Sequence, residues 1–152
     1  MILIAHRGLF QGPDKEKENH PDQIALALEQ GYHAEIDLYC IKRKLYLGHD
    51  EPTHPIDDDF LDSRKLWIHC KNIEALYYLS THISYSTNYF WHENDQYTLT
   101  SKKYIWTYPG KELTDNSIMV MPEHTDKTLQ NTKHVYCYGI CSDYVELIKS
   151  WV

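Results

Sequence analysis

Residues 2–8 read Ile-Leu-Ile-Ala-His-Arg-Gly, and this short stretch decides the fold class of the chain. Its first four residues are apolar without interruption, and they end at a charged pair and a glycine. A continuous apolar run of this length predicts a strand that is buried on both faces, as the strands of parallel sheets are. The stretch therefore favours a β/α architecture, with His6 and Arg7 at the carboxyl end of the first strand.

The residues that follow continue the alternation of strand and helix. Apolar residues recur with helical spacing in 21–30, and Gly31 supplies a stop signal. Residues 34–38 alternate between apolar and acidic side chains, which predicts a strand that directs Glu35 and Asp37 to one face. Three further elements are predicted in the first half: a short strand at 45–47, a strand at 66–70 and a helix at 73–79.

The second half of the chain is built differently. Its candidate strands follow one another too closely for a helix in every crossover, which would need about a dozen residues or more. They are 89–91, 104–107, 118–121, 135–138 and 140–142, and only residues 144–151 show helical spacing. A full β/α barrel normally takes about 250 residues. We therefore expect residues 1–152 to form one α/β domain, a shortened or incomplete TIM-type β/α barrel in which loops replace several helices of the second half.

Composition and charge narrow the range of partners. The 152 residues carry a net charge of −7, which argues against binding to nucleic acid or to an anionic membrane surface. No stretch approaches the roughly 20 apolar residues of a membrane span, and the apolar start of the chain is too short for a signal peptide. We therefore expect a cytoplasmic protein that acts on a small partner.

Charged and imidazole side chains collect where the predicted strands end. They form four groups: His6 with Arg7, Glu35 with Asp37, His49 with Asp50, and His69 with Lys71. In a parallel barrel these strand ends open onto one face, where catalytic groups collect. Two carboxylates aimed at one point are tolerated when a hard divalent cation lies between them, and two histidines can exchange protons with a substrate. A solvated rim and an ordinary turn are the alternative explanations of the second and third groups.

The order of these motifs resembles that of the glycerophosphodiester phosphodiesterase family, one of the phosphatidylinositol phospholipase C-like phosphodiesterases. The matching residues are Ala5-His6-Arg7-Gly8, Glu18-Asn19, Glu35-Ile36-Asp37 and Gly48-His49-Asp50. Near the other end, the pattern of the family's last strand, in which Ser-Asp or Thr-Asp precedes a terminal helix, is similar to Gly139-Ile140-Cys141-Ser142-Asp143. The similarity is dense over 1–50 and faint at 66–72 and 139–147.

The resemblance implies a compacted phosphodiesterase domain that uses a divalent metal ion, Mg²⁺ or Ca²⁺ in the family. It makes His6 and His49 the general acid–base pair. By the same resemblance, Glu35 and Asp37 are metal ligands and Arg7 holds the phosphate.

Two acidic residues are expected to orient this machinery. The resemblance gives Glu18 the role of orienting the first motif. Carboxylates that accept a hydrogen bond from a catalytic histidine fix its tautomer, and either Asp50 or Glu18 is a candidate for this role.

The third strand departs from the family pattern. The family has Glu-x-Lys or Asp-x-Lys there, whose acid completes the metal site, whereas this chain has His69-Cys70-Lys71. An imidazole can bind a divalent ion, but it shifts the preference from Mg²⁺ or Ca²⁺ towards Mn²⁺ or Zn²⁺. We expect His69 as the third metal ligand and Lys71 as a residue that binds the substrate phosphate, although Glu93 or Asp95 could also supply the missing carboxylate.

Aromatic and hydrogen-bonding residues are concentrated in the middle of the chain. His92, Trp106 and Tyr108 are candidate substrate-binding residues, because aromatic rings stack on the faces of a sugar or polyol while polar groups bind its hydroxyls. The alternative is a core built from Trp and Tyr in place of missing helices, and the sequence leaves both open.

The expected function is that of a metal-dependent phosphodiesterase that acts on a small phosphodiester, such as a glycerophosphodiester or a phosphorylated sugar or polyol. The alternative is a non-catalytic binder of a phosphorylated sugar or nucleotide sugar on the same scaffold. Missing outer helices would also leave one flank of the sheet free, so that a homodimer is a further expectation.

Overall fold

The computed structural model of the protein describes residues 1–82 and 87–152, and the ten strands in these ranges form one curled sheet. The strands are β1 (Ile2–Ala5), β2 (His33–Ile41), β3 (Lys44–Leu47), β4 (His54–Ile56), β5 (Leu66–Cys70), β6 (Asn88–Phe90), β7 (Tyr97–Leu99), β8 (Ile105–Thr107), β9 (Ser117–Val120) and β10 (Gly139–Ser142). The helices are α1 (Pro21–Glu29), α2 (Ile73–His82) and α3 (Val145–Lys149). The fold is therefore mixed α/β with few helices.

Seven of the described strands run parallel, in the order β6-β5-β2-β1-β10-β9-β8. The first and last strands of the chain are neighbours, with Ala5 opposite Ser142. β3 and β4 form an antiparallel extension on the far end of β2, and β7 pairs antiparallel with β8. The two ends of the parallel row approach each other, because the N–H of Ser101, between β7 and β8, donates to the carbonyl of Tyr89 in β6 over 2.8 Å.

The two faces of the sheet have different partners. On the inner face of the curl, six strands contribute to one buried cluster, made of Ile4, Trp67, Phe90, Trp106, Ile118 and Cys141. On the outer face, Ala34, Ile36 and Leu38 of β2 pack in a second cluster with Ala75 and Leu79 of α2. Because side chains alternate along a strand, the outward packing of these three residues turns the two acidic residues of β2 inward.

The second half has few helices, as its sequence predicts. Between residues 87 and 138 the structure has four short strands and no α-helix. The expected strand at 135–138 is wrong: Tyr136 is 86% exposed, and the sheet position between β1 and β9 belongs to β10. Ahead of β10, the backbone carbonyl of Tyr138 accepts a hydrogen bond from the N–H of Ile2, and the N–H of Tyr138 donates to the carbonyl of Ser117.

Two strands were not expected, β4 and β7. Each has three residues and pairs antiparallel at an edge of the sheet. β4 lies in a stretch that the sequence predicts as a loop, and it contains Pro55, a residue that edge strands tolerate because one of their sides needs no N–H donor. Among residues 1–82 and 87–152, no helix has the length and apolar character needed to cross a bilayer.

Candidate active site

A pocket of about 500 Å³ opens at the carboxyl ends of the parallel strands. Of the twelve residues given a role in the expected site, nine line it: His6, Arg7, Glu35, His49, His69, Lys71, His92, Trp106 and Tyr108; Glu93, an alternative ligand, lines it as well. The other three each contact one of these residues: Asp37 contacts His69, Glu18 contacts Arg7, and Asp50 contacts His49. All twelve residues therefore belong to one region of the molecule.

The turn after β1 brings His6 and Arg7 to the pocket. Arg7 has a left-handed backbone, with φ 51°, and its N–H donates to Oε2 of Glu35 over 3.0 Å. Gly8 follows with φ 79°, and a Cβ at this position would lie only 2.9 Å from Cγ1 of Ile24 in α1. A glycine is required there because a side chain would collide with the helix that packs on the turn.

His6 is held by an aspartate from the other end of the chain. Its Nδ1 lies 2.8 Å from Oδ1 of Asp143, and its Nε2 lies 4.0 Å from Oε2 of Glu35. Burial lowers the pKa of His6, but the hydrogen bond to Asp143 and the charge of Glu35 outweigh burial, so that the pKa is raised. Asp143 was not among the expected site residues, although it is part of the Ser-Asp pattern after the last strand.

Asp143 is itself fixed in position. It directly follows β10, which pairs with β1, so that it lies beside His6. Its N–H donates to Oε1 of Glu123 over 3.0 Å, and the hydroxyl of Ser142 donates to the same carboxylate over 2.9 Å. The Nδ1–H of His6 can therefore donate to Asp143 while Nε2 is left on the side of Glu35 and the pocket.

Within residues 1–82 and 87–152, one group of three acidic or imidazole side chains could hold a metal ion, and it consists of Glu35, Asp37 and His69. One ligand atom from each lies within 4.8 Å of the others. Nδ1 of His69 is 3.0 Å from Oδ1 of Asp37, while its Nε2 is 3.0 Å from the carbonyl oxygen of His92. A metal bonded to both atoms at about 2.1 Å, at adjacent octahedral positions, requires them to be about 3 Å apart. The donor set and its spacing therefore fit a divalent ion.

Asn19 holds the carboxylate of Asp37 in position. The side-chain amide of Asn19 donates to Oδ2 of Asp37, and the N–H of Asp37 donates back to Oδ1 of Asn19, each over 2.9 Å. Asn19 is fully buried and has φ 58°, a conformation that asparagine tolerates better than most residues. Glu18, next to it, accepts from Nη1 of Arg7 over 2.8 Å, so that it orients the arginine and not a histidine.

Positive charges surround the buried carboxylate of Asp37. Nε of Arg7 lies 3.2 Å from Oδ2, and Nζ of Lys71 lies 3.5 Å from Oδ1. Burial raises the pKa of Asp37. The hydrogen bond to His69 and the positive charges of His69, Lys71 and Arg7 outweigh burial and hold the pKa well below its usual range. Burial and the neighbouring charge of Asp37 raise the pKa of Glu35.

His49 follows the β2–β3 hairpin. Its Nδ1 lies 2.7 Å from Oδ1 of Asp50, one of the two carboxylates expected to fix a histidine tautomer. The hydroxyl of Tyr39 donates to the carbonyl of His49 over 3.1 Å and ties the turn to β2. Gly48 has φ 151°, and a Cβ there would collide with the carbonyl oxygen of Glu51, so that the turn requires glycine.

The second half of the chain provides another wall of the pocket. His92 pairs through Nδ1 with Oδ2 of Asp95 over 2.7 Å. Trp106 is 6% exposed and packs on Phe90, with ring centroids 4.6 Å apart, so that most of its surface belongs to the inner core. Tyr108, 51% exposed, lies at the rim. Met121 and His124, which the sequence did not predict as site residues, also line the pocket.

No family model, no curated protein and no solved structure matches the chain.

Proposed function

We propose that the protein is a metal-dependent phosphodiesterase of the glycerophosphodiester phosphodiesterase type, acting on a small phosphodiester. The observation that carries the proposal is the convergence of two imidazoles on one pocket, each with its own carboxylate partner. The pocket also contains two cations suited to phosphate and a carboxylate–imidazole group suited to a divalent ion.

We further propose that the scaffold is a shortened TIM-type β/α barrel. The parallel order of seven strands, with the first strand beside the last, supports this relationship. So does the location of the pocket at the carboxyl ends of the strands, where enzymes with such barrels have their active sites. The connection from β6 to β8 contains only loops and the short strand β7, and a loop joins β8 to β9, where a full barrel has helices.

In the proposed reaction, Arg7 and Lys71 hold the phosphate of the diester. Among the described residues, Glu18 and Asp37 contact Nη1 and Nε of Arg7, whereas no carboxylate contacts its Nη2. Lys71 contacts the same Asp37 from the other side and lines the pocket. Both cations are thus held in position before a substrate binds, which lowers the entropy lost on binding.

The two histidines divide the proton transfers. His49 takes the proton from a neighbouring hydroxyl of the substrate as that oxygen bonds to phosphorus. His6, whose pKa is raised, gives a proton from Nε2 to the leaving oxygen as its bond to phosphorus breaks. A divalent ion held by Glu35, Asp37 and His69 would stabilise the negative charge that develops on the phosphoryl oxygens.

A non-catalytic binder of a phosphorylated sugar or nucleotide sugar is the second candidate. The observation in its favour is the saturation of Asp37, whose two oxygens already face Asn19, Arg7, His69 and Lys71. A carboxylate satisfied in this way has less to offer a metal ion, and a pocket without the ion could still bind a phosphate through its cations.

Turnover measurements separate the two candidates. The protein is stripped with EDTA, supplied with Mn²⁺, and assayed against a glycerophosphodiester and bis(p-nitrophenyl) phosphate. We expect turnover of at least one diester with the ion and its loss in EDTA. Binding of phosphorylated sugars without turnover of any diester under any divalent ion would overturn the enzyme proposal in favour of the binder.

A further inference from the structure

We infer that His69 binds the metal ion directly through Nδ1, with the backbone carbonyl of His92 fixing its tautomer, and that this ligand makes the site select Mn²⁺ or Zn²⁺ over Mg²⁺ and Ca²⁺. The inference rests on the proposed function only in assuming that the pocket holds an ion.

The hydrogen bonds of His69 decide which nitrogen faces the carboxylates. Nε2 lies 3.0 Å from the carbonyl oxygen of His92, and a carbonyl can only accept, so that Nε2 carries a proton. Nδ1 lies 3.0 Å from Oδ1 of Asp37, which is also an acceptor, so that Nδ1 donates to this carboxylate when no ion is bound. An ion that binds between the two atoms takes the place of this proton, whereas the proton on Nε2 stays on the carbonyl of His92. Metal-binding histidines usually donate their other N–H to a carbonyl or carboxylate in this way.

The ring of His69 is also held by packing. It stacks on Phe90, with centroids 5.3 Å apart and planes 4° from parallel. β5 and β6 pair in parallel with His69 opposite Phe90, so that the register of the sheet sets the position of the ring. A ligand held on both an edge and a face does not need to reorient when an ion binds.

The ligand set of the site disfavours hard ions. Mg²⁺ and Ca²⁺ bind mainly through charged and neutral oxygens, and this group offers two carboxylates and one nitrogen. The fixed cations Arg7 and Lys71, both close to Asp37, reduce the negative potential that attracts any divalent ion, so that the type of ligand decides which ion binds. Imidazole forms stronger bonds with transition ions, which compensates for the missing acid.

Pulsed electron paramagnetic resonance of bound Mn²⁺ tests the inference without relying on activity. We expect nitrogen modulation from a directly bonded imidazole in the wild type. His69→Gln should abolish this modulation, whereas His134→Gln, which changes an exposed histidine outside the pocket, should leave it unchanged. Nitrogen modulation that survives in His69→Gln, or its absence in the wild type, would overturn the inference.

Calorimetric titration tests the selectivity. We expect one Mn²⁺ or Zn²⁺ to bind at least about 10-fold more tightly than Mg²⁺ or Ca²⁺, since even the groups that orient a ligand change metal affinity by about 10- to 100-fold. His69→Glu should reduce this ratio. Equal affinities for all four ions, or no binding of any of them, would overturn the inference.

The two proposals fail separately. A protein that shows the nitrogen ligand but hydrolyses no diester keeps the inference and loses the proposed function. A protein that hydrolyses diesters equally well with Mg²⁺ and shows no nitrogen ligand keeps the function and loses the inference. Thermal unfolding of each variant checks that it is folded, and the wild-type spectrum decides the question even if His69→Gln does not fold.

Discussion

The two halves of the molecule contribute different groups to the candidate site. In residues 1–82, β1, β2, the hairpin after β2 and β5 present the histidines, carboxylates and cations, and two helices cover these strands. In residues 87–152, most connections are loops, and the half contributes groups that hold the first ones: Asp143 on His6 and the carbonyl of His92 on His69. The described part of the second half thus supplies its orienting groups from short strands and loops, with only one short α-helix, α3.

The largest effect expected from this comparison is on stability, from Asp37→Ala. The substitution leaves Arg7, Lys71 and the amide of Asn19 without their buried partner, and breaking a buried ion pair in this way costs about 3–5 kcal/mol. Urea unfolding, with EDTA present, measures the free energy. The matched variant from the other half is Asp143→Ala, which leaves a single side chain, His6, unpaired and should cost clearly less. Equal losses in the two variants would contradict the division between the halves.

A smaller effect, on catalysis, is expected from Asp143→Asn. The amide keeps the shape of the side chain but no longer stabilises protonated His6, so that kcat/KM should fall by about 10²-fold, the usual size of a general acid–base contribution. The limb of the pH profile that belongs to His6 should also move to lower pH, because Asp143 raises the pKa of His6. Asp95→Asn, which affects only the partner of His92 at the pocket wall, is the control and should leave this limb in place.

The smallest effect concerns stability against pH in the absence of divalent ions. Because the pKa of His6 in the folded protein lies above its ordinary value, the folded state binds this proton more tightly than the unfolded chain. The resulting stability is fully present below the ordinary pKa, and it is lost as the pH rises through the raised one. We expect the free energy of unfolding to fall over that window and to fall less in Asp143→Asn. If the free energy of unfolding falls with pH by the same amount in the wild type and in Asp143→Asn, the His6–Asp143 pair contributes nothing to this pH dependence.

Local patterns were enough to predict the framework of the first half. Continuous apolar runs, alternation or helical spacing predict β1, β2, β5, α1 and α2. The structure has each of these elements within a few residues of the expected bounds. Three-residue edge strands carry too little pattern to be recognised, as β4 and β7 show. The sequence predicts a strand at 135–138, but Val135 and Cys137 pack beside α3 while β10 takes the place in the sheet.

The position of a site residue could be predicted where it depends only on the pattern of the strand that carries the residue. Glu35 and Asp37 were assigned to one face by alternation alone. The partner of His6 could not be found in this way, because Asp143 is 137 positions away and meets it only through the pairing of β1 with β10. His92 contacts His69 through its backbone carbonyl, and a motif of side chains cannot predict a contact made by the backbone.

The most direct test of the account is the rate of diester hydrolysis by His6→Ala, His49→Ala and the double variant, with His134→Ala as control. The account predicts that each single variant lowers kcat/KM by about 10²-fold or more. The double variant should lose little beyond the worse single one, because groups that act together in one step are not additive. Circular dichroism should show all four variants folded. Wild-type rates in either His6→Ala or His49→Ala would contradict the claim that these two histidines form the catalytic pair.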